Sequence, residues 1–163
     1  MGIQHRLRVT VIATLVLVFC GTALARPVNF PDYPEMTAKA DLVVLAMPID
    51  QRVLPDKATV PGILRGNDPI PAVEVETTFE IQAVLHGKID KDKKTLVLLH
   101  YRETNPPPKD QPQISPPALI DFKAKSGKLY LMFLHQDADG RYSAFNGQTD
   151  PAWSIRDVDP ATL

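Results

Sequence analysis

The clearest order in the chain is an alternation. Over residues 73–85, Val73, Val75, Thr77, Phe79, Ile81, Ala83 and Leu85 alternate with Glu74, Glu76, Thr78, Glu80 and Gln82. Successive side chains of a strand point to opposite faces, so a period of 2 predicts a long strand with one buried and one wet face. A helix would scatter those glutamates around its circumference. A second run, residues 95–101 (Thr-Leu-Val-Leu-Leu-His-Tyr), is apolar on both faces, which predicts a central strand or one closed into a barrel. Residues 128–136 and 141–145 flank Asp137-Ala-Asp-Gly140, a hairpin pattern in which Gly140 is free to take positive φ. Phe79, Ile81, Leu131 and Phe133 are expected to face inward. A short apolar strand over residues 41–46, ended by Pro48, a turn at Asn146-Gly147 and a last short strand over 152–156 complete the set.

Between these runs the chain is punctuated by proline, 16 in all. Proline lacks a backbone N–H and fixes φ, so this density disfavours long helices and suits strands joined by extended loops. Residues 48–72 hold Pro48, Pro55, Pro61, Pro69 and Pro71 with Gly62 and Gly66, and the expectation is a long loop carrying at most a short edge strand. Residues 104–117 read as a loop of polyproline II character. Residues 26–35 read as an extended segment pinned by Phe30 and Tyr33, and residues 35–40 as one helical turn. The fold class is mostly β with little helix.

The amino-terminal end changes the picture of where the protein works. Arg6 and Arg8 precede an apolar run over residues 9–20, and Ala23-Leu24-Ala25 follows. That order is the secretory pattern, with small residues at the two positions a signal peptidase reads. A spanning helix needs about 20 apolar residues, more than this run supplies. The expectation is a signal peptide over residues 1–25, cleavage between Ala25 and Arg26, one mature domain over residues 26–163, and a periplasmic or secreted location with no membrane span after cleavage. Cys20-Gly21 leaves a lipoprotein alternative, although Phe19 stands where such signals want a small residue.

Cleavage removes Cys20, the one cysteine, so the mature chain has no disulfide, thiol nucleophile or thiolate metal ligand. Loss of Arg6 and Arg8 leaves 16 Lys+Arg against 19 Asp+Glu, a formal charge of −3. A weakly acidic domain offers no electrostatic footprint for nucleic acid. His86, His100 and His135 have no metal-ligand spacing, although His100 and His135 both lie in apolar strands, where pairing across a sheet is one way for them to meet. Asp137-x-Asp139-Gly140 resembles the opening of a calcium loop, but Gln148 stands where the twelfth-position glutamate belongs. Glu74, Glu76 and Glu80 on one strand face read as a solvated face, and Glu76→Ala is accordingly expected to cost no more than about 0.5 kcal/mol. Ser115, Ser126, Ser143 and Ser154 have no local nucleophile context. The expectation is no catalytic residue, no cofactor and no metal.

Several motifs occur in a set order: Ala40-Asp41-Leu42-Val43-Val44, then residues 79–88 (Phe-Glu-Ile-Gln-Ala-Val-Leu-His-Gly-Lys), then residues 127–134 (Gly-Lys-Leu-Tyr-Leu-Met-Phe-Leu), Asp139-Gly140-Arg141-Tyr142, and Gly147-Gln148. Over residues 36–156 this order resembles bacterial secreted proteins with the netrin-module or TIMP-like OB fold. The resemblance implies a five- to six-stranded OB-like Greek-key barrel with long Pro-rich loops, a scaffold that serves binding in many settings. Metalloproteinase inhibition does not carry over, because that mechanism uses an amino-terminal cysteine and this mature chain has none. The function expected is an exported binding or interaction module without catalytic activity, with an unidentified protein or glycan partner outside the cytoplasm. An envelope enzyme or enzyme inhibitor is the alternative. A binding site is expected on loops 48–72 and 104–117 or the barrel face beside them, with Tyr101 and Trp153 as candidate contacts.

Overall fold

A computed structural model describes residues 31–106, 108, 119–147 and 153–159. The signal segment, the Ala23, Ala25 and Arg26 cleavage positions, Phe30 and most of the proline loop before residue 118 lie outside the described residues.

The first element of the described residues is helix α1 (Tyr33–Lys39). Asp32 caps it, its side chain accepting a hydrogen bond from the Glu35 N–H at 2.8 Å, and Pro34 sits in the first turn where a missing N–H costs nothing. The expected extended segment over residues 26–35 is corrected here: residues 33–35 belong to the helix. Tyr33 stacks on Phe133 with ring centroids 5.7 Å apart.

Six strands follow among the described residues: β1 (Leu42–Arg65), β2 (Asp68–Gly87), β3 (Thr95–Glu103), β4 (Leu129–Gln136), β5 (Tyr142–Ala144) and β6 (Ile155–Val158). They form one sheet in the order β1-β2-β3-β5-β4-β6, and a further pairing of β1 with β4 closes the first five into a ring. Residues Leu42 to Ala46 of β1 pair with β2 on one side and with Leu134 to Tyr130 of β4 on the other. Among the described residues the pairings are antiparallel except for the bridge between Leu98 of β3 and Tyr142 of β5. The hairpin expected at residues 137–140 joins β4 to β5, with Gly140 at φ +84°. The last strand lies at Ile155–Val158 rather than 152–156.

The segment 48–72 departs most from expectation. It is a hairpin arm, in which β1 runs on past Pro48 to Arg65, turns at Gly66-Asn67 and returns as β2. The prolines explain how. Pro55 and Pro61 fall within breaks in the β1–β2 register and Pro48 borders one, and beyond Ala46 the far edge of β1 has no strand partner among the described residues. Pro69 and Pro71 precede Ala72, where pairing to β3 begins. Bulges and edges are where a strand tolerates a residue that cannot donate.

Three apolar clusters hold the fold. Inside the ring, Phe79 packs edge-on to Phe122 at 4.9 Å, among Leu42, Val44, Leu96, Leu98, Met132 and Leu134. On the outer face of β4, Phe133 and Val43 are covered by Met36 and Ala40, with Leu131 packed beside them. Phe133 is therefore buried and Leu131 half-buried, but under α1 rather than inside the ring, which Tyr130, Met132 and Leu134 fill. The third cluster, Val60, Ile70 and Ala72, belongs to the arm and packs against Tyr101 and Leu119. The buried alternation of β2 holds through Val75, Thr77 and Phe79 and fades at half-buried Ile81, so Val84 and Leu85 are exposed. It changes phase at half-buried Val73 and Glu74, so that buried Ala72 lies on the same face as Glu74 and its β3 partner Tyr101. No helix among the described residues is long and apolar enough to cross a membrane.

Candidate functional site

Register sets the residues of one outer surface. Glu74 of β2 lies opposite Tyr101 of β3, and Glu76 opposite Leu99. Leu98 pairs with Tyr142, so the following residues, Leu99 and Ser143, share that surface. The β4–β5 turn raises Asp137, Asp139 and Arg141 along one border, and the arm brings Pro61 and Gly62 to another. Between them is an open cleft of about 490 Å3 with Leu99 and Tyr101 in its lining and Ser143, Asn146 and Gly147 along its β5 side.

Its polar walls are tied together. Arg141 donates from Nε to Asp139 Oδ2 at 2.8 Å and from Nη1 to Glu76 Oε1 at 3.1 Å, and its backbone N–H reaches Asp139 Oδ1 at 3.0 Å. Glu76 accepts a second ion pair from Arg52 at 2.6 Å. The bonds from Arg141 hold the Asp139 carboxyl below the usual carboxylate range, and those from Arg52 and Arg141 do the same for Glu76. Ser143 donates to Asp137 Oδ1 at 3.2 Å. Tyr101 donates weakly to Glu74 at 3.4 Å, and its burial, reinforced by the Glu74 charge, raises its pKa. Burial under the arm and this bond fix the ring in place.

Tyr101 thus lies in the cleft, whereas Trp153 is not part of its lining and packs against Arg156, whose guanidinium stands 5.0 Å from its ring centroid. Arg141 escaped the sequence reading, while Asp137 entered it only as a calcium-loop opening set aside for a hairpin turn, and Ser143 only as a serine without nucleophile context. The alternation of buried Tyr142 and Ala144 with Arg141 and Ser143 was the signal that carried them outward.

His100 and His135 have separate partners. His135 Nδ1 lies 3.1 Å from Asp41 Oδ2, with Phe145 stacked on its ring. The Gln136 N–H and then the His135 bond lower the Asp41 pKa. Ser143 is opposite His135 in register, but its hydroxyl goes to Asp137. His100 is buried inside the ring, with Nε2 2.8 Å from Thr77 Oγ1 and Phe122 edge-on at 5.1 Å. Gln51 continues that network: it donates to Thr77 and to the Phe122 carbonyl, both at 3.1 Å, and accepts from Arg102, which pairs with Asp121 at 2.8 Å. Burial pulls Asp121 upward, yet the Arg102 bond prevails and its pKa is lowered. No group of three or more His, Cys, Asp or Glu able to hold a metal ion occurs among the described residues.

No protein-family model matches the chain, and no curated protein matches it either.

Proposed function

We propose that this chain is an exported, non-catalytic binding module on an OB-like Greek-key barrel, engaging a protein or glycan partner outside the cytoplasm through the cleft over β3. The strand order, with β1 returning to β4 and one parallel contact between β3 and β5, supports the OB-like reading. The observation that carries the function is the cleft itself: a concavity on the outer surface of the closed sheet, with an aromatic ring in its lining and polar walls fixed by mutual hydrogen bonds. Such a surface is organised before a ligand arrives, which lowers the ordering cost of binding. The Ala23-Leu24-Ala25 sequence behind an apolar run supports export.

The test is retention of material from the native envelope and culture supernatant on the immobilised mature chain. A partner held by the wild type and lost by Asp137→Ala and Tyr101→Leu supports the reading. Equal retention by wild type and both variants overturns it.

A further inference from the structure

We propose that the cleft takes a neutral carbohydrate, a short oligosaccharide without charged groups. The inference rests on the reading of this cleft as the binding site and deepens it. A sugar presents two surfaces, an apolar face of C–H groups and a rim of hydroxyls. Its binding site needs an aromatic ring for the first and fixed, geometrically defined polar groups for the second. Tyr101 supplies the ring, half-buried in the lining and held by the arm and by Glu74.

Charge decides between ligand classes. Arg141 is the cleft's one cation among its described lining residues, and its Nε, Nη1 and Nη2 all face carboxylates, Asp139 and Glu76. An anionic ligand would have to break those pairs and approach Asp137 as well. Asp139 in turn accepts from Arg141 on both oxygens, so its charge is already compensated within the cleft wall. A basic peptide therefore meets one lining carboxylate without an ion-pair partner among the described residues, Asp137, whose Oδ1 accepts from Ser143. One such contact gives a desolvated ammonium or guanidinium little return. A hydroxyl, by contrast, donates to Asp137 Oδ2 without bringing a charge out of water, and Ser143 stands beside it as a second partner. The volume, about 490 Å3, falls within the roughly 300–1,000 Å3 of small-ligand sites.

Amide and side-chain NMR shifts of the full mature chain, titrated with maltotriose, cellotriose and N,N′-diacetylchitobiose, test the assignment. A heparin-derived disaccharide and a lysine-rich peptide are the charged probes. Saturable shifts at Leu99, Asp139, Ser143 and Gly147 with at least one neutral sugar are expected, and weaker or absent shifts with both charged probes. Tyr101→Leu keeps the apolar packing under the arm and removes the ring, and Asp137→Ala removes the acceptor. Each is expected to weaken the sugar about tenfold or more, with Tyr101→Phe within about twofold of wild type. No cleft shift with any of the three sugars overturns the proposal. If a charged probe then moves the same amides, the cleft remains a binding site and only its ligand class is wrong. Retention of an envelope partner independent of Tyr101 and Asp137 removes the cleft reading as well.

Discussion

At the scale of single residues, Gly87 is the position where the backbone leaves no choice. Its φ is +84°, and a Cβ built there would stand 2.2 Å from the Asp41 carbonyl oxygen and 3.2 Å from the Leu42 Cα. Both neighbours are backbone at the start of the ring-closing stretch of β1, so neither can swing aside. Gly140 has the same φ but open space around it. Gly140→Ala should therefore cost about 1–2 kcal/mol, the price of a left-handed conformation, and Gly87→Ala more, about 3 kcal/mol or beyond. Urea melts of the two variants decide; equal losses would mean that Asp41 yields. His100 is the second such residue. Burial drives its pKa down from 6.5 to about 4, so the folded state holds the neutral ring more strongly than the unfolded chain does. Asp121 raises that value and Arg102 lowers it, and both face His100 from the packed elements around it. The resulting stability is complete above pH 6.5 and falls as pH drops toward 4, by an amount on the order of 3 kcal/mol. Carboxylates held below their ordinary range, Asp121 among them, also begin to lose their stabilisation as pH falls toward 4, so the reading is a difference: His100→Gln should flatten the wild-type slope between pH 6.5 and 4. An unchanged slope would show that His100 is not the group protonated.

At the scale of elements, β2 shows what a hydrophobic pattern specifies and where it stops. The alternation placed Phe79 in the core, and Phe79→Ala should cost about 3–5 kcal/mol, since the ring fills the space between Phe122 and Tyr130. The same alternation put Glu76 on the outer face, which is right, but treated it as merely solvated. Its side chain is 17% exposed and bridges Arg52 and Arg141 from two other elements. Glu76→Ala should therefore cost about 1 kcal/mol rather than less than 0.5, and Arg52→Ala, whose side chain is 70% exposed, much less. Thermal melts of the three variants should rank them in that order. Cross-strand partners of this kind are invisible to a one-dimensional pattern, because they depend on register and on which strand becomes a neighbour. The arm was hidden for a related reason. Proline density reads as loop, yet Val60, Ile70 and Ala72 bury enough apolar surface against Tyr101 and Leu119 to hold a strand pair whose prolines sit at bulges and edges. Leu131 and Phe133 were read as inward without a second layer in view, and α1 supplies that layer.

At the scale of the whole molecule, the ring and the arm are built to different standards. Residues Leu42 to Ala46 are paired on both sides, by β2 and by β4, and their inward side chains lie at the centre of the main core. Opening them requires breaking two ladders and exposing Phe79 and its neighbours. The β1 part of the arm has a ladder on one side only, its register breaks between Val53 and Lys57 and again between Thr59 and Leu64, and a small satellite cluster stabilises it. Local opening free energy follows buried apolar contact and the number of ladders that must break. Native-state hydrogen exchange should therefore find the amides of Val44, Thr77 and Phe79 among the slowest, exchanging only by global unfolding. Amides of residues 53–65 should exchange at least about tenfold faster, through an opening that leaves the ring intact. That opening would also move Pro61 and Gly62 away from Tyr101, so the cleft is the part of the surface whose shape the arm controls. A neutral sugar bound there should slow exchange in residues 58–64 while leaving Val44 unchanged, because a ligand that contacts only the closed arm stabilises that arrangement by mass action. Uniform protection across ring and arm would mean that they unfold as one cooperative unit and that the cleft is rigid.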